Sequence, residues 1–132
     1  MTSLTPYLHF AGNAREAITF YESVFGGSVV LHEFAEFERT DGPANWIAHS
    51  MLQGPVEVFC ADTAEGEPAF SSTGLLFALL GTAQPATMER WFAQLSEGGT
   101  VIDPLQKRPW GDHDGQVIDR FGVPWLIGYQ PE

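Results

Sequence analysis

Cysteine is almost absent: Cys60 is the only one in 132 residues. No intrachain disulfide can form, and a reducing, cytoplasmic setting is the simplest expectation. Basic residues are scarce too. Arg15, Arg39, Arg90, Lys107, Arg108 and Arg120 are the whole set, against 17 Asp and Glu. The formal net charge of −11 argues against a nucleic-acid or anionic-lipid partner, because phosphate binding needs clustered Lys and Arg. No apolar run approaches the roughly 20 residues of a membrane span. The opening MTSLTPYLHF has no basic region followed by an apolar core, so no secretory signal is expected. Walker loops, CxxC pairs and a Ser-His-Asp arrangement are missing as well.

What is present suits one folded domain. Hydrophobic residues make up 44% and aromatics 13%, enough for a core in a chain of this size. The stretch FAGNAREAITFYESVFGGSVVL, Phe10 to Leu31, organises the rest. Ala17, Phe20, Tyr21 and Val24 fall on one helical face. Asn13 followed by Glu16 reads as a capping box, and Gly26-Gly27 as the helix stop. Met88, Trp91, Phe92 and Leu95 repeat that face 71 positions later, and Gly98-Gly99 with Val101-Ile102 repeat the stop and strand start at 72. So long a period points to a duplicated half-domain rather than a solenoid.

Taken in order, the chain predicts strands at Leu4–Phe10, Ser28–Phe37, Trp46–Leu52 and Val56–Ala61, with a helix over Asn13–Phe25. The polar stretch DTAEGEPAFSST suggests a linker, about 63–73, between a first module of about 1–62 and a second of about 74–132. The second module predicts strands at Gly74–Leu80, Thr100–Leu105, Gln116–Phe121 and Pro124–Tyr129, and a helix over Pro85–Glu97. Pro104 is expected to end its strand, and Gln106–Gly115 to form a loop. The fold class is therefore α+β, two βαβββ modules forming open-barrel sheets around a central cleft that suits a small ligand.

PYLHFAGNAREAITFYESVFGG at Pro6–Gly27 and WGDHDGQVIDRFGVPWLIGY at Trp110–Tyr129 resemble the opening and closing motifs of the PhnB-like branch of the vicinal oxygen chelate superfamily. That superfamily includes glyoxalase I, extradiol dioxygenases and bleomycin-resistance proteins. The resemblance implies a homodimer. The branch also carries a demethylubiquinone-methyltransferase label, but no Gly-rich strand-to-helix turn for a methyl donor is present.

Metal-dependent members hold an ion with His, Glu or Gln on the first and last strand of each half. Laid on this chain without gaps, that pattern falls on Pro6, Val58, Leu75 and Leu126, none of which binds a cation through its side chain. The expectation is thus no cofactor, and a cleft lined by Phe10, Val58, Cys60, Leu75, Phe77 and Leu126. His49, Trp110 and Asp112 would add polar or aromatic contacts. A one-residue slip would exchange strand faces. His9 and Glu57 would then face the cleft and, with His49, offer a ligand set for a divalent metal, the alternative reading being a lyase, isomerase, transferase or dioxygenase.

Overall fold

The computed structural model describes residues 4–71 and 73–131. The chain divides into two compact units, Met1–Phe70 and Ser71–Glu132. In the first, β1 (Tyr7–Phe10), α1 (Ala14–Phe25), β2 (Ser28–Glu33), β3 (Ile47–Gln53) and β4 (Val58–Asp62) follow one another. In the second, β5 (Phe77–Leu80), α2 (Pro85–Ser96), β6 (Thr100–Lys107), β7 (His113–Ile118) and β8 (Pro124–Tyr129) repeat the pattern. The strand orders are β1-β4-β3-β2 and β5-β8-β7-β6, so each unit is an open four-stranded sheet of the same topology. In each, the first strand runs parallel to the last and the other neighbours are antiparallel.

The repeated helical faces do what their spacing implies, except that Phe20 is only half-buried and Ile18 is inside. Ala17, Ile18, Tyr21, Val24 and Phe25 of α1 are buried, as are Met88, Trp91, Phe92 and Leu95 of α2. Burying each large side chain contributes about 2 kcal/mol. The doubled glycines have a second task beyond stopping the helices. A Cβ on Gly27 would stand 2.2 Å from the Gln53 carbonyl oxygen, and one on Gly99 would stand 2.3 Å from that of Ile118. Each second glycine lets the entering strand lie against its neighbour's end.

Several expected details differ. Asn13 makes no side-chain cap; the Asp62 carboxylate does that work from the end of β4. Its Oδ1 accepts from Gly12 N (2.8 Å) and Ala14 N (3.0 Å), and its Oδ2 from Ile47 N (2.9 Å). The strand expected through Phe37 stops at Glu33 and gives way to a 3-10 turn, Phe34–Phe37. The Glu36 carboxylate folds back to accept from Glu33 N at 2.7 Å, which closes that turn. Strand β6 runs through Pro104 to Lys107 instead of ending. It is the sheet's edge, and its pairing shifts between Asp103 and Gln106, where a missing N–H costs little.

The stretch expected as a linker is mostly part of the first unit. Thr63 N donates to Phe10 O at 2.7 Å and Phe70 N to His9 O at 2.6 Å. Ser72 within it lies outside the described residues. No helix among the described residues is long and apolar enough to cross a membrane.

Candidate functional site

Each sheet has one face under its helix and one face without a helix. In the first unit Leu8, Cys60, Ser50, Leu52 and Val58 are 0–2% exposed and share a face by register. That is the face α1 covers. Tyr7, Phe59, Met51 and Val30 form a row on the opposite face, and His9, Ala61, His49 and His32 lie on the same side. Tyr7 and Val30 are 42% and 39% exposed there.

On this open face His9 and His49 stand on β1 and β3, two strand spacings or roughly 10 Å apart. The small Ala61 of β4 lies between them and leaves room for the Tyr7 ring. Tyr7 stacks on His9 with centroids 4.8 Å apart and an interplanar angle of 8°. Its hydroxyl lies 2.8 Å from His49 Nδ1. Phe59 meets Tyr7 and His49 edge-on, at 5.7 and 5.5 Å. Burial, reinforced by Cys60 and opposed by Arg39, raises the Tyr7 pKa above its ordinary value.

The second unit carries a cavity of about 570 Å³ at the end of its sheet. Leu80, Pro85 and Leu126 give it apolar walls, and Asp112, His113 and Gln130 add polar groups. The register explains why these residues meet. Leu80 pairs with Gly128 and Asp114 pairs with Gly128 from the other side, all on the face away from α2. His113 stacks on Tyr129 at 4.8 Å and 8°. The Tyr129 hydroxyl donates to Glu89 Oε1 of α2 at 2.6 Å. Burial and then that carboxylate push the Tyr129 pKa up to about 12.

Arg108 binds Asp103 at 2.6 Å and Asp114 at 2.7 Å, and the two carboxylates raise its pKa further. A separate hollow of about 610 Å³ is lined by Leu75, Leu76, Ile102, Gln116, Ile118 and Pro124.

The family model for 3-demethylubiquinone-9 3-methyltransferase matches residues 2–128. The chain belongs to that family, the PhnB-like branch of the vicinal oxygen chelate superfamily. Protein YjdN of Escherichia coli K12 is 29% identical to it, over 94% of this chain and 92% of its own length. The crystal structure of PA1353 from Pseudomonas aeruginosa is 30% identical, covers 100% of both chains and superposes with a TM-score of 0.82. A Bacillus cereus structure described as a putative 3-demethylubiquinone-9 3-methyltransferase, PhnB protein, is 22% identical over 97% of this chain and 99% of its own, with a TM-score of 0.76. It shares the fold.

The superfamily's metal raises a test of this PhnB-like chain's own donors. The open-face imidazoles of His9 and His49 flank the Tyr7 ring instead of converging, His49 Nδ1 is engaged by the Tyr7 hydroxyl, and that of His32 lies 3.1 Å from Glu36 Oε1. Glu57 is exposed ahead of β4. Among the described residues no three His, Cys, Asp or Glu side chains gather to hold an ion. The donor set does not fit.

The expected lining residues divide sharply. Phe10, Val58 and Cys60 belong under α1, and Phe77 meets Trp125 at 5.7 Å on the face under α2. This corrects the gap-free overlay, which put these strands one residue out and so reversed their faces. Asp112 and Leu126 come together in the 570 Å³ cavity, whereas Leu75 lines the other hollow. Trp110 is 69% exposed on the turn before Asp112. His113 is half-buried, its Nδ1 sealed from solvent and without a hydrogen-bond partner among the described residues. Tyr7, Phe59 and Tyr129 were not singled out from the sequence. The alternation Tyr7-Leu8-His9-Phe10, apolar at every second place, was the signal that could have found Tyr7.

Proposed function

We propose that this PhnB-like protein binds a small, partly apolar molecule without the superfamily's metal, as a binder or as a metal-independent enzyme. The observation that carries this is the cavity of about 570 Å³ in the second unit. Its size falls in the range of small-molecule pockets, and its lining sets Leu80, Pro85 and Leu126 beside polar groups such as Asp112, His113 and Gln130, a surface for a partly apolar molecule. Asp112 and Leu126 serve as ligand contacts in this reading, with His113 and Tyr129 as the aromatic end.

The methyl transfer in the family description is not taken over. A methyl donor of the dinucleotide-like type calls for a glycine-rich turn between strand and helix. Here the β1–α1 and β5–α2 turns hold a single glycine each, Gly12 and Gly81. The divalent-metal reading has His9, His49 and Glu57 as its donors, and their scatter argues against it.

We also take the protein to act as a homodimer. Leu75, Leu76, Ile102 and Ile118 are 46%, 41%, 55% and 36% exposed around one hollow. Apolar patches of this kind favour association.

The test is metal analysis of untagged protein together with thermal melts against a library of small apolar compounds. Substoichiometric metal and a compound that raises the melting temperature are expected. One tightly held first-row metal per chain would overturn the metal-free reading.

A further inference from the structure

We infer that the ligand of the second-unit cavity carries a cationic amine on an apolar body, and that Asp112 is the group that reads the charge. This rests on the reading that the cavity binds a small molecule. Among the described residues, the cavity wall includes two carboxylates, Asp112 and Asp114, and no Lys or Arg. The two are not equivalent. Asp114 is already paired with a cation, since Arg108 Nε donates to its Oδ1 at 2.8 Å while the same guanidinium also grips Asp103.

Asp112 is half-buried, and its backbone is fixed because its carbonyl accepts from Arg108 N at 2.7 Å. Its carboxylate has no partner among the described residues. A half-buried carboxylate in an apolar-walled hollow attracts an ammonium more strongly than one in open water. Gln84 and Gln130 line the same hollow, and their amide oxygens are further acceptors. The chain's net charge of −11 adds a field that draws cations toward it and repels anions. Leu80, Pro85 and Leu126 provide the surface for the ligand's apolar part.

Three probes of matched shape separate the contributions: phenethylamine, 2-phenylethanol and 3-phenylpropanoate, titrated by calorimetry into the full chain at pH 7. Phenethylamine is expected to bind at least about tenfold tighter than the alcohol, as a charge-assisted hydrogen bond requires, and the propanoate not detectably. In Asp112→Asn the amine is expected to fall to the level of the alcohol, while the alcohol is unchanged. That last result also shows that the variant is folded. Equal binding of amine and alcohol, or an amine preference that survives Asp112→Asn, would overturn the charge assignment and leave the pocket standing. Failure of all three probes would overturn the charge assignment and count against the pocket reading as well.

Discussion

At the scale of single residues, two side chains carry more than their position in the sequence suggests. Asp62 holds three backbone N–H groups, those of Gly12, Ala14 and Ile47. It thereby ties the start of α1 to β3 and β4. Removing it leaves buried donors without partners, so Asp62→Ala is expected to lower stability by about 2–4 kcal/mol, read from urea denaturation. Tyr129 offers a pH test. Its folded-state pKa is raised from 10.0 to about 12, so the folded form favours the protonated phenol. Its contribution to stability is therefore full below pH 10 and lost as pH rises toward about 12. Tyr129→Phe is expected to flatten that part of the stability profile while leaving the slope between pH 6 and 9 unchanged. Neither role was legible beforehand. Asp62 sits in a stretch that reads as linker, and Asn13 offered a local cap that the chain does not use.

At the scale of elements, the duplication was legible because helices announce themselves. The spacing of Ala17, Phe20, Tyr21 and Val24, echoed by Met88, Trp91, Phe92 and Leu95, gave both helices and their buried faces, with Phe20 alone left half-buried. Strand faces were harder. Tyr7-Leu8-His9-Phe10 alternates, yet the gap-free overlay set the wrong residue inward, and a slip of one exchanges the two faces of a strand. The unpaired edge hid the length of β6, since Pro104 is tolerated only there. The paired glycines make a sharper prediction. Gly27→Ala and Gly99→Ala each drive a Cβ into a backbone carbonyl. Each is expected to cost about 2–3 kcal/mol, and hydrogen exchange should show faster exchange at the β2–β3 or β6–β7 pairing concerned.

At the scale of the whole molecule, the family and the α+β class came through from motifs that open and close the chain, while the candidate site came through only in part. Asp112 and Leu126 meet, but the residues nearest the doubled helices turned inward, because a helix claims the apolar face of its sheet and leaves Tyr7, His9 and His49 on the other. The proposed homodimer would use the apolar residues left at the surface of the second unit. Light scattering behind size exclusion is expected to give twice the chain mass, and Ile102→Asp to reduce it toward a single chain.

The proposed function rests on a metal-free pocket in the second unit. Its most direct measurement is a two-dimensional ¹⁵N–¹H NMR titration of chelator-treated protein with the compound that most raises the melting temperature. Saturable shifts at the amides of Leu80, Asp112, Leu126 and Gln130, unaffected by chelation, are the predicted result. Loss of binding on chelation with recovery on adding zinc, or shifts centred on His9 and His49 instead, would contradict it.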